Sequence, residues 1–256
     1  MSVEQSPTSN AVLSAEEIVT GYGRGPNIVH GVSISCHESQ VTLVLGPNGS
    51  GKSTLLRCIA GLLPARSGSV TLKGRNITPW ACHDRVGLGV AFIPQEHTVF
   101  TEMSVYENLL MGAWSIHGHQ AKRRSVDAAC EAVPLIKPLL KVNAGLLSGG
   151  QQRLLEVARG IATGAKLLIF DEPTAGVAPA DADRLAEIIG NLTSSDVTVL
   201  LVEQNIDRAL TIADYVYTLM SGRNSHQGPV TEIAARMDDI VREWTLGPQG
   251  ALNESR

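Results

Sequence analysis

Long apolar runs, an excess of basic charge and closely spaced cysteines are all absent from this sequence of 256 residues. No apolar stretch approaches the ~18–20 residues that a membrane-spanning helix needs, and residues 1–10 are polar and acidic, unlike a signal peptide. The formal net charge of −4 gives no electrostatic indication of nucleic-acid binding. The four cysteines form no C-x-x-C pair, so reduced cytosolic thiols are favoured over a metal site or disulfides.

The composition and the apolar patterning predict a folded α/β chain with short disordered tails. Apolar residues make up 43% of the sequence and charged residues 18%, as in globular proteins. The polar ends, residues 1–10 and 247–256, are expected to be disordered. Apolar or alternating runs predict strands near residues 12–19, 28–36, 69–72, 89–94, 197–202 and 215–220. Helical spacing predicts helices over residues 179–191, 206–213 and 231–244.

One stretch organises the rest of the chain. An apolar strand from Val41 to Leu45 leads into the pattern G-x-x-x-x-G-K-S and then into a helix. Glycines let consecutive N–H groups point at phosphate oxygens, and the helix adds the positive end of its dipole. An ordinary glycine turn with a solvated lysine is the alternative. The predicted phosphate-binding residues are Gly46, Pro47, Asn48, Gly49, Ser50, Gly51, Lys52, Ser53 and Thr54.

Strand patterns stop between residues 96 and 147, where apolar residues recur at helical spacing. Ser104 and Glu107 form a candidate capping box for one helix, and a second helix is predicted over residues 120–136. Prolines at positions 134 and 138 interrupt its end. We therefore expect a helical insertion in an α/β chain.

A serine followed by two glycines opens the next predicted helix. Ser148 can cap it, with Gln151 in the reciprocal position of a capping box. Gly149 and Gly150 leave the helix start accessible to an anion. An ordinary capped helix with a flexible entry is the alternative interpretation.

Two carboxylates end the apolar strand that begins at Lys166. Asp171 and Glu172 follow it directly, at the edge where a sheet meets its ligand. Asp171 is suited to Mg²⁺ coordination and Glu172 to polarising a water. Tyr22 lies in a glycine-rich loop, where stacking on a nucleobase and packing against the sheet edge are both open.

Four elements stand in one order along the chain: the phosphate loop, Gln95, residues 147–153 and residues 167–173. Together they resemble the nucleotide-binding subunits of ATP-binding-cassette (ABC) transporters. The Leu-Ser-Gly-Gly-Gln-Gln-Arg signature at 147–153 is the most specific part, because other phosphate-loop NTPases lack it. The resemblance covers about residues 12–245. The resemblance implies an α/β fold. Residues 11–95 and 148–246 would form a phosphate-loop NTPase core that contains a mixed sheet. An all-helical subdomain, residues 96–147, would contact membrane subunits.

The resemblance also implies cofactors and residue roles. ATP and Mg²⁺ are the expected cofactors, with Ser53, Gln95 and Asp171 as metal ligands. Tyr22 would stack on adenine, and Glu172 would be the catalytic base. The signature residues Ser148, Gly149, Gly150 and Gln151 would reach the γ-phosphate of the nucleotide held by the opposite subunit. A monomer would then be incompetent.

Two positions depart from the family pattern. Gln204 stands where most members have a catalytic switch histidine, and Ala178 stands where most have aspartate. A glutamine can donate a hydrogen bond to the γ-phosphate but carries no charge. The patterns Glu-Gln-Asn at 203–205 and Gly-Val-Ala-Pro at 176–179 resemble the second ATPase of branched-chain amino acid importers, and the related urea and short-chain amide importers share them.

The resemblance therefore implies an ATPase that energises import from the cytoplasmic face of a prokaryotic plasma membrane as a peripheral subunit. Its expected partners are two permease subunits, a second ABC ATPase or another copy of itself, and indirectly a periplasmic or extracellular solute-binding protein, with no nucleic acid. A soluble ABC ATPase not linked to transport and a scaffold that binds ATP without hydrolysis are the rival hypotheses.

Overall fold

The computed structural model describes residues 11–246, so the predicted tails 1–10 and 247–256 lie outside the described residues. The strands are β1 (Ala11–Thr20), β2 (Val29–His37), β3 (Val41–Leu45), β4 (Ser67–Leu72), β5 (Arg75–Asn76), β6 (Val90–Ile93), β7 (Leu167–Asp171), β8 (Thr198–Val202), β9 (Tyr215–Met220) and β10 (Arg223–Pro229). The α-helices are α1 (Lys52–Ile59), α2 (Cys82–Gly87), α3 (Val105–Gly112), α4 (His119–Ala132), α5 (Gly149–Ala162), α6 (Pro179–Asn191), α7 (Ile206–Leu210), α8 (Val230–Ala235) and α9 (Met237–Leu246). Within residues 11–246, none of the helices is long and apolar enough to cross a bilayer.

The larger sheet is mixed, as predicted, and has the strand order β10-β9-β3-β8-β7-β6. Strands β9, β3, β8, β7 and β6 are parallel, and β10 is antiparallel to β9. All residues of β3, β7 and β8 are buried, because both faces of the sheet are covered. The loops after β3, β6, β7 and β8 leave the same edge of the sheet, because these strands run in parallel.

Two hydrophobic clusters cover the two faces of this sheet. Successive residues of β7 alternate between them, with Leu167 and Ile169 in one and Leu168 and Phe170 in the other. The first cluster includes α1 and the antiparallel second sheet, whose order is β2-β1-β4-β5. The other includes α3, α4, α5 and α6. The site edge therefore rests on a sheet packed on both sides.

Between β6 and β7 the described chain is helical apart from one isolated bridge, Ser104 to Asn143. The predicted capping box is confirmed: Ser104 Oγ accepts from Glu107 N at 3.2 Å, and the Glu107 carboxylate accepts from Ser104 N at 2.8 Å. The predicted helix over 120–136 is wrong at its end, because α4 stops at Ala132 and a 3₁₀ helix, Pro134–Leu139, follows. That this region is a subdomain bounded at 96 and 147 stays a prediction.

The other differences from the sequence predictions are at short helices. The predicted helix over 231–244 is two helices, because Arg236 between them has φ −113° and ψ 7°. The helix predicted over 206–213 ends at Leu210. Helix α2 was missed, since Arg85 is its one buried residue and it shows no apolar stripe.

All four cysteines lie in the described part of the chain and are free thiols. Burial raises the pKa of the Cys36 thiol to about 12, and it also raises the pKa of Cys58, Cys82 and Cys130. These thiols are therefore protonated and weakly reactive at neutral pH.

Arg85 closes the C-terminal end of α1. Its buried guanidinium donates to the Cys58 and Trp80 carbonyls at 3.0 Å, to the Thr78 carbonyl at 3.1 Å, and to the Ile59 carbonyl. The last carbonyls of a helix have no partner inside the helix, so this side chain supplies their donors. Burial lowers the pKa of Arg85, yet guanidinium stays charged at neutral pH. The C-terminal end of α1, which lies opposite the phosphate loop, thus depends on a residue far along the chain.

Replacing Arg85 by Met should destabilise the protein by about 2–4 kcal/mol, because four carbonyls, two of them in fully buried hydrogen bonds, lose a charged donor. Urea unfolding followed by circular dichroism measures this change. Arg123→Met, on the exposed face of α4, is the control and should change stability by less than about 0.5 kcal/mol. Equal stability of the two variants would show that water replaces the guanidinium at no cost.

Candidate functional site

The phosphate loop connects β3 to α1 and takes a conformation that requires glycine. Gly46, Gly49 and Gly51 have φ of +152°, +79° and +99°. A Cβ at Gly46 would collide with the Leu219 carbonyl and approach Ser50 Oγ at 2.7 Å, so the loop is packed tightly against β9. At Gly49 a Cβ would meet nothing within 4 Å. The loop is therefore closed towards the sheet and open on the side where a phosphate would enter.

Lys52 is folded into the loop. Its side chain is buried, and Nζ donates to the Gly46 carbonyl at 2.8 Å and to the Pro47 carbonyl at 3.1 Å. Burial lowers the pKa of Lys52, while the charges of Glu172 and Asp171 oppose that shift. A phosphate placed in the loop would favour the charged ammonium further.

Ser53 and Asp171 meet at one corner of the site. Ser53 Oγ donates to Asp171 Oδ1 at 2.8 Å, while Asp171 Oδ2 is buried without a hydrogen-bond partner in the described chain. Burial raises the pKa of Asp171, the Ser53 hydrogen bond opposes this, and the charge of Glu172 adds to it. Hydroxyl and carboxylate oxygens are the ligands that Mg²⁺ prefers, so an unpartnered oxygen here fits that ion.

Protein groups alone do not complete a metal site at this corner. Within residues 11–246 there is no group of three or more His, Cys, Asp or Glu side chains that could hold a metal. Mg²⁺ usually keeps one or two protein ligands together with waters and substrate phosphates. The residues present therefore fit an Mg²⁺ that arrives with a nucleotide.

Glu172 receives hydrogen bonds from both predicted glutamines. Gln95 Nε2 donates to Glu172 Oε2 at 2.9 Å, and Gln204 Nε2 donates to the same oxygen at 2.6 Å. Glu172 has φ +50°, a left-handed conformation that costs a non-glycine residue ~1–2 kcal/mol. Its N–H donates to the Val202 carbonyl at 2.9 Å, which connects the end of β7 to β8. The ends of β6, β7 and β8 thus converge on one carboxylate.

Glu203 is a site residue that the sequence reasoning did not single out. This buried carboxylate accepts from Thr174 N and Thr174 Oγ1, both at 3.0 Å, and from Gln204 N at 3.2 Å. Burial raises the pKa of Glu203, and these hydrogen bonds oppose the rise. An acidic residue directly after an entirely apolar strand was the available signal. Glu203 holds the segment after Glu172 against the end of β8.

The signature residues lie apart from the phosphate loop of the same chain. The capping box is confirmed, because Ser148 Oγ accepts from Gln151 N at 3.3 Å and Gln151 Oε1 accepts from Ser148 N at 3.0 Å. In the described chain, residues 148–151 make no hydrogen bond to residues 46–54. Ser148 and Gly149 are exposed.

Tyr22 lies in the loop between β1 and β2, and 45% of its surface is exposed. The same loop passes the phosphate loop, since a Cβ at Gly51 would lie 3.3 Å from the Ile28 carbonyl. The ring is thus accessible to solvent, and its stacking on a base stays a prediction.

Comparison with known proteins decides the family. The family model described as "ABC transporter" matches residues 29–175. The chain belongs to the ABC transporter family. It is 41% identical to the probable branched-chain amino acid transport ATP-binding protein LivF of Archaeoglobus fulgidus over 87% of this chain and 94% of that protein. It is also 31% identical to the lipopolysaccharide export system ATP-binding protein LptB of Escherichia coli K12, over 93% of this chain and 98% of that one.

Solved ABC cassettes share the fold. The ADP conformation of an ATP-binding cassette of an ABC transporter superposes with a TM-score of 0.84, is 32% identical, and covers 93% of this chain and 100% of that chain. A nucleotide-free ATP-binding cassette gives a TM-score of 0.82 at 32% identity, over 93% of this chain and 99% of that one. The chain is thus a nucleotide-binding ATPase subunit of the kind that works with membrane permease components.

Replacing Lys52 by Ala should weaken Mg-ATP binding at least tenfold, a loss of ~1.4 kcal/mol, because the loop loses its one mobile cation at the phosphates. Isothermal titration calorimetry on the purified chain measures the dissociation constant. Lys141→Ala, at an exposed position, is the control and should bind as the parent does. An unchanged affinity of the Lys52 variant would refute the assignment of the loop.

Proposed function

We propose that this chain hydrolyses ATP to energise the import of a small solute, branched-chain amino acids first, through separate permease subunits. The observation that carries the proposal is the convergence of Gln95, Glu172 and Gln204 beside a buried Lys52 and the Ser53–Asp171 pair. Support for the solute class comes from the names of two relatives, the Archaeoglobus fulgidus protein and the branched-chain amino acid transport protein BraG of Pseudomonas aeruginosa, 35% identical over 83% of this chain and 90% of that one.

In the proposed reaction a water bound beside Glu172 attacks the γ-phosphorus. Its oxygen forms a bond to phosphorus, Glu172 takes the water's proton, and the bond from phosphorus to the bridging oxygen of ADP breaks. Lys52 holds the β- and γ-phosphates and neutralises the charge that moves onto the leaving oxygen. Mg²⁺, held by Ser53 and Asp171 and reached by Gln95, would neutralise phosphate charge when bound.

Gln204 is suited to bind both the base and the substrate. A carboxamide nitrogen carries two hydrogens, and one of them is used in the 2.6 Å bond to Glu172. The second hydrogen is available to the γ-phosphate. Gln204 thereby orients Glu172 and the phosphate relative to each other, as a neutral donor.

The signature loop is proposed to act on the nucleotide of a second ABC subunit, which is either another cassette or a copy of this chain. Support comes from the exposure of Ser148 and Gly149 and from their lack of hydrogen bonds to the chain's own phosphate loop in the described residues. Two such chains arranged head to tail would complete each other's sites.

The permeases are proposed to dock on the helical region 96–147, with the ATPase at the cytoplasmic face of the membrane. Trp114, which is 73% exposed, and Phe100 border a groove of about 340 Å³ whose other walls include Ile93, Glu156 and Arg159. An exposed aromatic rim around a groove is typical of an interaction surface. A solute-binding protein outside the membrane would contact the permeases and not this chain.

Replacing Glu172 by Gln should retain nucleotide binding and reduce ATP turnover at least about 100-fold, because the amide keeps the shape of the base but accepts no proton. Steady-state phosphate release by the assembled transporter measures turnover. Uptake of labelled leucine by cells that lack the natural gene tests the transport function, and the variant should fail to restore it.

The exposed Glu187→Gln variant on α6 is the control and should match the parent in both assays. Turnover by Glu172→Gln at the parent rate would place the base elsewhere. Restoration of urea or amide uptake, but not of leucine uptake, by the parent chain would overturn the solute assignment and leave the ATPase assignment standing.

Replacing Gln204 by Ala should lower ATP turnover about 5–10-fold, because one charge-assisted hydrogen bond to Glu172 is lost. Nucleotide affinity should change little. Gln204→His should match or exceed the parent, since a histidine also donates. Both are measured by steady-state ATPase of the assembled complex. Parent-like turnover of Gln204→Ala would mean that its contact with Glu172 serves only to pack the end of β8.

A further inference from the structure

Arg153, the last residue of the signature segment, is buried behind the catalytic edge. It lies on α5 with 2% of its surface exposed. Its guanidinium donates to the carbonyls of Pro173 at 2.7 Å, Pro94 at 2.9 Å and Glu172 at 3.4 Å. Pro94 immediately precedes Gln95. One side chain therefore fixes the backbone on both sides of the Gln95–Glu172 hydrogen bond.

The geometry requires a planar, forked donor. Three carbonyls on two separate loops are met by three nitrogens of one rigid group, whereas a lysine ammonium is a single compact donor centre. Two of the carbonyls, those of Glu172 and Pro173, belong to the backbone at Glu172, whose φ of +50° is left-handed.

Glu156, one turn further along α5, pairs with this guanidinium. Arg153 Nη1 lies 2.7 Å from Glu156 Oε2, and both side chains are almost completely buried. The other oxygen of Glu156 accepts from Thr98 N. His97 Nδ1 lies 3.5 Å from the same carboxylate. Glu156 thus joins Arg153 to the segment that follows Gln95.

The same network reaches the surface groove. Glu156 lines the groove together with Arg159, which donates to the Thr98 carbonyl at 2.6 Å and also to Thr98 Oγ1. The Arg159 guanidinium lies 5.2 Å from the centre of the exposed Phe100 ring. Contacts therefore run without a break from the Glu172 carbonyl to the floor and rim of the groove.

We infer that Arg153 is a positioning residue for Glu172 and Gln95, and that Glu156 holds the Arg153 guanidinium in place for this role. The inference rests on the proposed ATPase function. Neither Arg153 nor Glu156 touches the nucleotide in this arrangement.

The test compares Arg153→Lys with Arg85→Lys in the assembled transporter, where ATP turnover is measured. Arg85 is the matched control, because it is an equally buried arginine that donates to backbone carbonyls away from the catalytic edge. We expect Arg153→Lys to lower kcat at least tenfold with KM and the dissociation constant for Mg-ATP within twofold of the parent. Arg85→Lys should lower the melting temperature and leave kcat per folded molecule unchanged.

Equal kcat in Arg153→Lys and the parent, or equal losses in both lysine variants, would overturn the positioning role. A failure of the proposed function would look different, because the assembled complex with the parent chain would then show no ATP turnover. Glu156→Gln gives the same test should Arg153→Lys not fold, since the amide keeps an acceptor for Thr98 N–H but loses the charge.

The double variant tests whether the two residues act as one network. If they do, Arg153→Lys with Glu156→Gln should be no slower than the slower single variant, because the second change removes an interaction that is already broken. Losses that multiply would show that Glu156 acts independently of Arg153 and would overturn its place in the network.

Discussion

The parallel alignment of β3, β8, β7 and β6 is the constraint on which the site depends. Because neighbouring parallel strands end at one edge, the phosphate loop, Gln204, Glu172 and Gln95 are delivered side by side. Strand β8 lies between β3 and β7, so Gln204 emerges between the phosphate loop and Glu172. The order of strands in space, which differs from their order in the chain, thus sets which side chains meet.

Several charged side chains are buried at the edge of the sheet where the candidate site lies. Asp171, Glu172 and Glu203 are buried carboxylates, and Lys52 is the ammonium that faces the first two. Burial raises the pKa of Asp171 and lowers that of Lys52, so both groups are pushed towards their neutral forms. A bound magnesium–nucleotide complex would oppose both pKa shifts, because Mg²⁺ favours the ionised carboxylate and phosphate favours the charged ammonium. Burial of these charges is therefore electrostatically unfavourable, and a ligand of the right charge would offset its cost.

The sequence predicted structure that depends on neighbouring residues, but it did not predict contacts between distant parts of the chain. The strand–loop–helix around Lys52 and the capping boxes at Ser104 and Ser148 involve residues within a few positions of each other, and the structure has them as predicted. Arg153 and Glu156, spaced three apart on a helix, look in the sequence like an exposed ion pair. Their burial depends on two loops that arrive from other parts of the chain. The contact between Gln204 and Glu172 likewise depends on how β7 pairs with β8, and no residue pattern reveals that pairing.

The hold on Glu172 by two carboxamides has a consequence for how the site responds to acidity. Neither Gln95 nor Gln204 gains or loses a proton between pH 5 and 8, so the donors to the Glu172 carboxylate stay the same throughout this range. A histidine at position 204 would titrate there and would strengthen its bond as the solution became more acidic. The hydrogen bonding of the Glu172 carboxylate by these two donors is therefore insensitive to acidification over this range, whereas a histidine at position 204 would alternate between two protonation states.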